Sequence, residues 1–508
     1  MDKLQNLAQA VIQWSALLFL FFAGLGLLII LVIYLIDKTQ TTQTIRRNYP
    51  VVGRFRYAFE HMGEFFRQYF FAMDREELPF NRAERSWVYR AAKKVDTTIS
   101  FGSTRPLDHK GDTIFLNSAF PTLTEDVAEP KPVTVGGGYC DSPYTTKSII
   151  NISGMSFGAI SKPAVLALSN GAREAGIWMN TGEGGLSPYH LEGGCDIVYQ
   201  IGTAKYGVRT PDGKLSDAKL SEVAAHEQVR MFEIKMSQGA KPGKGGILPG
   251  GKVTEEIAAI RGIDIGSDSI SPNGHEDIRS VEDLLDMVHR VRQVTGKPVG
   301  FKMVVGQLDF FDDLFKEIHR RGIAHSPDFI TIDSADGGTG AAPQPLMDYM
   351  GMPLQESLPI VVNLLHSYGL RERIKVISSG KLITPGKVAW ALAVGADFVT
   401  SARGFMFALG CIQALQCSKN TCPTGITTHN VELQRGLVPE DKAQRVTSFA
   451  DHVVYGVGMI AHSCGVSQPR KLERKHVRII ESGGHSVSLA QSHPIPAVNT
   501  EYINVTRL

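Results

Sequence analysis

The chain has 508 residues, with 53 Lys and Arg against 51 Asp and Glu, which gives a formal net charge of +2. This balance argues against nucleic acid as the principal partner. A hydrophobic fraction of 43% excludes disorder as the main state, and six cysteines in this length exclude a scaffold built on disulfides. The 51 glycines lie in clusters, which indicates Gly-rich ligand loops rather than linkers.

An uncharged segment between Lys3 and Asp37 opens the chain. Its most apolar part, Trp14 to Ile36, would extend about 34 Å as a helix, enough to cross a hydrocarbon core of about 30 Å. A signal peptide is the alternative, but its apolar region is usually shorter, and no A-x-A cleavage pattern follows here. We therefore predict an uncleaved transmembrane helix within residues 1–36.

The orientation of this helix is predicted from its basic flanks. Lys3 stands alone on the N-terminal side, whereas five basic residues follow the helix: Lys38, Arg46, Arg47, Arg54 and Arg56. The positive-inside rule then predicts a single-pass membrane protein with its large C-terminal part on the cytoplasmic side. A reducing compartment agrees with cysteines used for metal binding rather than for disulfides.

Residues 37–147 form a mixed N-terminal region. Its clearest pattern is a helical period from Tyr57 to Phe71, with four aromatic residues on one stripe: Phe59, Phe65, Phe66 and Tyr69. A stripe of this kind is more typical of a face packed in a core than of a ligand site. We therefore expect this helix face to be buried.

From residue 148 onward, short β-branched or apolar runs alternate with helical stretches. The candidate strands are Ile149–Ser153, Trp178–Thr181, Ile197–Gly202, Phe232–Met236, Ile270–Pro272, Val299–Val304, Phe329–Asp333, Lys375–Ser379 and Phe398–Ser401. Such alternation implies parallel strands with right-handed crossovers, and residues 148–430 have the length of a TIM (β/α)8 barrel. Nine candidates are one more than a barrel needs, and we assign Ile197–Gly202 as an accessory strand.

The predicted fold class is therefore α/β, with a TIM barrel, an N-terminal transmembrane helix, the mixed N-terminal region and a short C-terminal extension. A doubly wound sheet is the alternative, but it would require a G-x-G-x-x-G motif after the first strand, and none is there. Residues 431–508 are predicted to hold a helix around Gln444–His462 and a polar tail.

Two features of the barrel point to a site at the carboxyl ends of its strands. Gly-rich loops follow four strands directly: Gly154–Gly158, Gly182–Gly185, Asp336–Gly340 and Ser379–Gly380. In addition, Lys302 interrupts an otherwise apolar strand, where a lysine is costly unless it is paired. Loops at this end of a TIM barrel carry the active site.

Three of the six cysteines form one pattern. Cys411, Cys417 and Cys422 are spaced C-x5-C-x4-C, with Pro423 directly after them. Zinc sites usually show closer pairs and a fourth ligand, so three thiolates and a proline suit an iron–sulfur cluster better. Spacing alone leaves three core cysteines as an equal alternative.

A series of motifs, in order along residues 148–430, resembles the FMN-binding synthase domain of glutamate synthase. The motifs are Ser153–Ala159, Asn180–Gly185, Gln238–Gly243, Ile270–Pro272 with His275-x-Asp277-Ile278, Asp336–Ala341, and Cys411 through Asn420-Thr421-Cys422-Pro423. Each Gly-rich piece is weak alone, but the ordered set is specific.

The resemblance implies an enzyme, an FMN- and iron–sulfur-dependent oxidoreductase acting on CH–NH2 donors. In that family ammonia condenses with 2-oxoglutarate to 2-iminoglutarate, and reduced FMN delivers hydride to give L-glutamate. The three cysteines would ligate a 3Fe–4S cluster that passes electrons to the flavin.

The resemblance also implies roles for individual residues. It assigns Glu183 and Lys302 to catalysis, with Lys302 facing the N1/O2 edge of the flavin and Glu183 orienting ammonia or moving a proton. Substrate cations would be Lys235, Lys241 and Arg261. FMN contacts, with the phosphate on the last two loops, would come from Met155, Ser156, Gln238, Lys302, Ser379, Gly380, Ala402 and Arg403. A salt bridge to a nearby lysine is the alternative role for Glu183.

The sequence departs from the family pattern at several positions. Lys381 follows Gly380 where a second glycine is usual, and Ile247 replaces a glutamine. Neither a glutaminase nucleophile at the N-terminus nor a nicotinamide-binding motif is present. We therefore expect ammonia from solution or a separate subunit, and electrons from ferredoxin or another protein. The alternatives are an amine or amino-acid oxidoreductase with another substrate, or a non-catalytic electron-transfer subunit.

Overall fold

The computed structural model of the chain describes residues 2–502, except for the side chains of Asp2, Glu64 and Phe65. The chain divides into two compact units, one up to Ala83 and one from Glu84 onward. The predicted domain boundaries after residues 36, 147 and 430 stay predictions.

The N-terminal unit is helical. Its elements are α1 (Asp2–Thr39), α2 (Thr44–Asn48), α3 (Gly53–Phe66), a π-helical turn (Arg67–Phe71) and the start of α4 (Arg82–Ala92). Among the described residues, α1 is the one helix that is long and apolar enough to cross a membrane. The most apolar part of α1 buries no residue against the rest of the chain.

The expectation that the aromatic stripe of α3 is buried is wrong. The side chains of Phe59, Phe66 and Tyr69 are 63%, 44% and 47% exposed, and the side chain of Phe65 lies outside the described part. The helical period identified an apolar face correctly, but such a pattern does not report which medium covers that face.

Within its described residues, Glu84 to Tyr502, the second unit continues the chain with fifteen strands and further α-helices. In chain order these are β1 (Thr113–Phe115), β2 (Val133–Val135), β3 (Tyr144–Thr146), β4 (Ile150–Ile152), α5 (Lys162–Ala175), β5 (Met179–Asn180), α6 (Pro188–Glu192), β6 (Ile197–Ile201), α7 (Asp217–Ala224), β7 (Val229–Lys235), β8 (Ile247–Leu248), α8 (Glu255–Arg261), β9 (Ser269–Ile270), α9 (Val281–Thr295), β10 (Val299–Val304), α10 (Asp309–Arg321), β11 (Phe329–Asp333), α11 (Gln344–Tyr349), α12 (Leu354–Ser367), β12 (Lys375–Ser379), α13 (Pro385–Val394), β13 (Phe398–Ser401), α14 (Arg403–Leu409), α15 (Val431–Gln434), α16 (Pro439–Ser463), β14 (Val477–Ile480), β15 (Ser486–Ser488) and α17 (Leu489–Ser492).

Eight of these strands close into a parallel barrel in the order β4-β5-β6-β7-β10-β11-β12-β13. The last strand pairs with the first, with Thr400 opposite Asn151. Nearly all strand residues are buried, because the barrel interior packs one face and the surrounding helices pack the other. The predicted TIM barrel is confirmed.

The prediction that Ile197–Gly202 is the accessory strand is wrong. Ile197–Ile201 is fully buried and is the third strand of the barrel. Ile270 instead lies in β9, which pairs with β8 outside the barrel, and its side chain is 65% exposed. Both runs are short and apolar, and only burial on both faces separates them.

The amino-terminal end of the barrel is closed by the β2–β3 hairpin. Val135 and Tyr144 from this hairpin join the barrel core with Trp178 and Phe398. Trp178 packs edge-on against both Tyr144 and Phe398, with ring centroids 6.1 and 4.9 Å apart. Ligand access is therefore left to the opposite, carboxyl end of the strands.

The predicted C-terminal helix is present as α16, which packs on α5, α13 and α14. Gly171 lets α5 and α16 approach closely, because a Cβ there would lie 2.6 Å from the carbonyl oxygen of Ala443. α16 is thus part of the helical shell around the barrel, whereas β14 and β15 from the same extension form a separate sheet with β1.

Candidate active site

Two lysines stand side by side at the carboxyl end of the barrel. Lys235 ends β7 and Lys302 lies in β10, and the two are register partners across neighbouring parallel strands. Their side chains are 7% and 6% exposed. Two ammonium groups at one level of a barrel are costly unless anions are present, so this end of the barrel suits an anionic ligand.

One anion comes from the protein itself. Glu183, on the loop after β5, forms an ion pair with Lys235, with 2.6 Å between Oε1 and Nζ. Gly202 and Gly246 make room for this carboxylate, since a Cβ at either position would lie within 2.6 Å of Glu183. The salt bridge that the sequence left as an alternative is therefore present.

The charge balance around Glu183 favours its ionised form. Burial alone would raise the pKa of Glu183, but Lys235, Lys241 and Arg261 together hold it below its usual value. Burial lowers the pKa of Lys235, with Lys302 adding to the effect and Glu183 opposing it. The pair therefore forms a charged, buried centre with cations in excess.

Lys241 adds a further ammonium group from the loop after β7. It is 5% exposed, and burial followed by the charge of Lys235 lowers its pKa to about 8. Within residues 2–502, neither Lys241 nor Lys302 forms an ion pair or a side-chain hydrogen bond. These two buried cations are open to a ligand that carries negative charge.

Arg261, the third predicted substrate cation, is held by protein groups instead. Its guanidinium donates to Ser269 Oγ at 3.0 Å, and to Ser156 Oγ and the Phe157 carbonyl oxygen at 3.4 Å each. Its Nε is buried and without a hydrogen-bond partner among the described residues. Arg261 thus ties the loop after β4 to α8 and β9, while one donor remains unused.

The loop that carries Met155 and Ser156 packs backbone to backbone against the loop after β5. A Cβ at Gly182 would lie 2.6 Å from the Ser156 backbone nitrogen, so glycine is required there. Met155 itself is 7% exposed. Gln238 is half-buried on the loop after β7, at the same end of the barrel.

The predicted phosphate residues follow β12 and β13. Gly380 has φ 142° and lies against Ser334, because a Cβ there would be 2.2 Å from Ser334 Oγ. That hydroxyl is buried and has no hydrogen-bond partner in the described chain. Buried hydroxyls are rarely left unpaired, so a polar ligand group beside Ser379 and Gly380 fits the residues present.

Two cations also lie near Ser379 and Gly380. Arg403 donates to the Asp336 carbonyl oxygen at 2.6 Å, and burial lowers its pKa to about 10 despite the nearby carboxylates of Asp333 and Asp336. Lys381 lies 3.9 Å from the Asp336 carboxylate. Ala402 lies directly before α14 and brings its backbone to the same place.

Sequence reasoning missed a polar layer inside the barrel. Glu233, in β7, is 3% exposed and accepts hydrogen bonds from Asn180 at 2.9 Å, Gln200 at 2.7 Å and Thr331 at 2.6 Å. Four strands are joined by these contacts. The signal was available, because a glutamate within an apolar barrel strand is as costly as the lysine at 302.

The three cysteines of the predicted cluster lie in one loop after α14. Burial raises the pKa of Cys411 to about 12 and that of Cys417 above its usual value. For Cys422 burial acts in the same direction, but hydrogen bonds from Thr424 and Thr427 lower its pKa overall. Across the described residues, no three His, Cys, Asp or Glu side chains are arranged to hold a metal ion.

A buried lysine accompanies this loop. Lys252 is 2% exposed and donates to the carbonyl oxygens of Ala159 at 2.8 Å and Cys417 at 3.4 Å. It forms no ion pair with a described carboxylate, and burial lowers its pKa to about 8, opposed by Cys417 and Cys422. A buried ammonium beside two thiols, with Arg261 as a further cation nearby, fits an anionic thiolate centre.

Known proteins resemble this chain in sequence. A family defined as the conserved region in glutamate synthase matches residues 107–467. The glutamate synthase large subunit-like protein YerD of Bacillus subtilis (strain 168) is 39% identical over 90% of this chain and 94% of its own length. The archaeal glutamate synthase [NADPH] of Methanocaldococcus jannaschii is 36% identical over 65% of this chain and 61% of its own.

A solved mandelate oxidase structure shares 15% identity over 78% of this chain and 98% of that chain, with a TM-score of 0.43, too distant to bear on function. The sequence matches are of another order, since they run through every strand of the barrel and through the cysteine loop. The chain therefore belongs to the glutamate synthase family and contains that family's FMN-binding barrel.

Proposed function

We propose that this protein is a membrane-anchored, iron–sulfur flavoprotein that reductively aminates 2-oxoglutarate to L-glutamate. The observation that carries the proposal is a pair of buried cations, Lys241 and Lys302, that have no partner among the described residues and lie at the same barrel end as the Glu183–Lys235 ion pair. A dicarboxylate and an anionic reduced flavin are two anions that this surplus of positive charge would stabilise.

For the substrate, Lys241 would bind one carboxylate of 2-oxoglutarate from the loop after β7. Lys235 is already paired, so it would share its charge between Glu183 and the ligand. Arg261 would act through its unused Nε or by holding Ser156 in place. This division makes Lys241 the substrate cation with the largest expected effect.

Glu183 would orient ammonia. Its pKa is lowered by three cations, so the carboxylate is ionised and accepts hydrogen bonds from an ammonium ion or an amine. After ammonia attacks the keto carbon, the same carboxylate would take a proton from the nitrogen and return it to the hydroxyl, which leaves as water to give 2-iminoglutarate. Lys302 would stabilise negative charge at the flavin edge during hydride delivery.

The FMN residues would divide between two regions of the barrel end. Met155, Ser156 and Gln238 would contact the ring, while Ser379, Gly380, Ala402 and Arg403 would hold the phosphate. When bound, FMN supplies hydride to the imine carbon. The unpaired Ser334 hydroxyl and the cations Lys381 and Arg403 support a phosphate at the second region.

Cys411, Cys417 and Cys422 would hold a 3Fe–4S cluster, which supplies electrons one at a time. The presence of three thiols in one loop supports this proposal, and Lys252 would offset the negative charge that a thiolate-bound cluster carries. Electrons would come from ferredoxin or another protein, and ammonia from solution or from a separate subunit.

The N-terminal helix would anchor the enzyme. α1 has the length and composition of a membrane span, and the basic residues after it favour a cytoplasmic location for the barrel.

The test is anaerobic reoxidation of the detergent-purified protein. After photoreduction, flavin absorbance is followed on addition of 2-oxoglutarate, ammonium, or both. Reoxidation that needs both, with glutamate as the product, is the expected result. A flavin that stays reduced with both present would reject this substrate pair, and reoxidation by another 2-oxo acid with ammonium would identify the alternative substrate.

A further inference from the structure

α3 and the π-helical turn after it present a continuous apolar face. Exposed large side chains recur along this segment at helical spacing: Phe55 60%, Phe59 63%, Met62 39%, Phe66 44%, Tyr69 47%, Phe70 74% and Phe71 76%. At 100° per residue the first five fall within about 40° of one direction. Scattered exposed hydrophobes are ordinary, but a stripe of this length indicates an interaction surface.

The end of α1 fixes where this face begins. Asp37, in the last turns of α1, is fully buried and pairs with Arg46 at 2.7 Å and Arg54 at 2.8 Å. Its second oxygen accepts the backbone N–H of Val51 at 3.0 Å. Gly53, the first residue of α3, packs so closely on α2 that a Cβ would lie 2.8 Å from the Ile45 carbonyl oxygen. The turn therefore holds the start of α3 beside the end of α1.

The segment around this apolar face has an excess of positive charge. From Lys38 to Arg75 the chain has seven Lys and Arg against three Asp and Glu. On a helical projection Arg54 lies about 100° to one side of the apolar face, and Arg56 and Arg67 lie about 100–120° to the other. Arg54 is held by Asp37, and Arg56 pairs with Glu60 at 3.0 Å, whereas Arg67 is exposed and can reach lipid headgroups while the aromatic rings enter the acyl boundary.

We propose that Gly53–Phe71 lies in the interface of an anionic bilayer, with Phe55, Phe59, Met62 and Phe66 towards the acyl chains. This inference rests on the proposed membrane crossing by α1. The end of α1 would lie at the membrane surface, and the contacts of Asp37 hold the start of α3 at the same level. The segment would then act as a second, in-plane contact with the same membrane that α1 crosses.

The full-length protein in nanodiscs of phosphatidylcholine and phosphatidylglycerol tests this placement. Two variants, Phe59→Trp on the apolar face and Glu60→Trp beside it, are compared with the unsubstituted protein, which contains four tryptophans. With brominated lipids in the disc, Phe59→Trp should add a blue-shifted emission component that is quenched. Glu60→Trp should add an unquenched, red-shifted one.

Carbonate extraction of the same proteins from native membranes separates the two proposals. Protein that resists extraction but shows no quenching for Phe59→Trp would overturn the interfacial placement and leave the anchor standing. Protein released by carbonate would overturn the crossing itself. If Phe59→Trp is unquenched and copies cross-link through α3, the occupant of the face is a second chain and the lipid proposal is wrong. Stronger quenching with phosphatidylglycerol than with phosphatidylcholine alone would support it.

Discussion

The carboxyl end of the barrel and the N-terminal unit show opposite relations between pattern and environment. In the barrel, charged residues sit in apolar strands, and Lys235, Lys302 and Glu233 are all buried. In α3, aromatic residues follow a helical stripe, and Phe59 and Phe66 are exposed. A charged residue in an apolar strand indicates a local partner or ligand, because burying an unpaired charge is costly. An apolar stripe indicates only that its face is covered, by protein or by lipid.

The largest effect is expected from a substitution in the cysteine loop of the barrel. Cys417→Ser should lose the cluster iron completely, because two remaining thiols cannot hold three iron atoms. Iron and sulfide analysis of anaerobically purified protein measures it. Cys140→Ser is the matched control, since Cys140 is half-buried and donates to the Gly136 carbonyl oxygen, as a serine can. Full iron retention in the Cys417 variant would reject the cluster.

Removal of the Lys302 ammonium should weaken FMN binding. Lys302→Met loses a charged hydrogen bond worth about 1.5–3 kcal/mol, which corresponds to roughly 10–100-fold in affinity. Flavin titration of the apoprotein measures the change. Lys375→Met removes a lysine from the other end of a barrel strand, where it donates to the Glu372 carbonyl oxygen, and should bind FMN normally. Equal affinities for the two variants would show that Lys302 does not face the flavin.

Lys241 should control the requirement for 2-oxoglutarate and its pH dependence. Burial lowers the pKa of Lys241 to about 8, so its ammonium loses the proton as pH rises through that value. The KM for 2-oxoglutarate should then rise above pH 8, by up to about tenfold per pH unit. Below pH 8 it should be constant. Lys241→Ala should show a high KM that lacks this pH dependence, with FMN still bound.

The control for Lys241 is its neighbour Lys244, which is exposed three residues later in the same loop. Lys244→Ala should keep both the KM and its pH profile. If both variants behave alike, the loop contributes only a diffuse positive potential and Lys241 is not a substrate contact.

Much of the barrel could be predicted because its strands alternate regularly with helices and end in Gly-rich loops. The third strand was misassigned, since Ile197–Ile201 and Ile270 differ in burial rather than in composition. The residues of the candidate site could be predicted from sequence motifs. Their contacts with one another could not. That Lys235 pairs with Glu183 and that Arg261 is held by Ser156 and Ser269 depends on how separate loops meet at the barrel end.

Glu233 is a second charged residue within an apolar barrel strand, and its cost of burial predicts partners as it does for Lys302. Glu233→Gln exchanges an acceptor of three hydrogen bonds for an amide with one acceptor oxygen, so its NH2 group must replace the acceptor either of Thr331 or of Asn180 and Gln200. We expect a loss of about 1–3 kcal/mol in stability, read as a lower Tm. Glu227→Gln, at an exposed position before β7, should leave the Tm unchanged. An unchanged Tm in both would mean that the polar layer is not energetically coupled to the barrel.

The smallest expected effect lies on the other side of the comparison, in α3. Phe59→Ala should change the free energy of unfolding in detergent by no more than about 0.5 kcal/mol, because the side chain is 63% exposed. The unfolding temperature should therefore hardly change. Phe398→Ala, at a fully buried position of the barrel, should cost about 3–5 kcal/mol. Two phenylalanines that look alike in the sequence would thus differ several-fold in what they stabilise. A large loss from Phe59→Ala would show that the apolar face of α3 packs on protein, and the stripe would then be a core face after all.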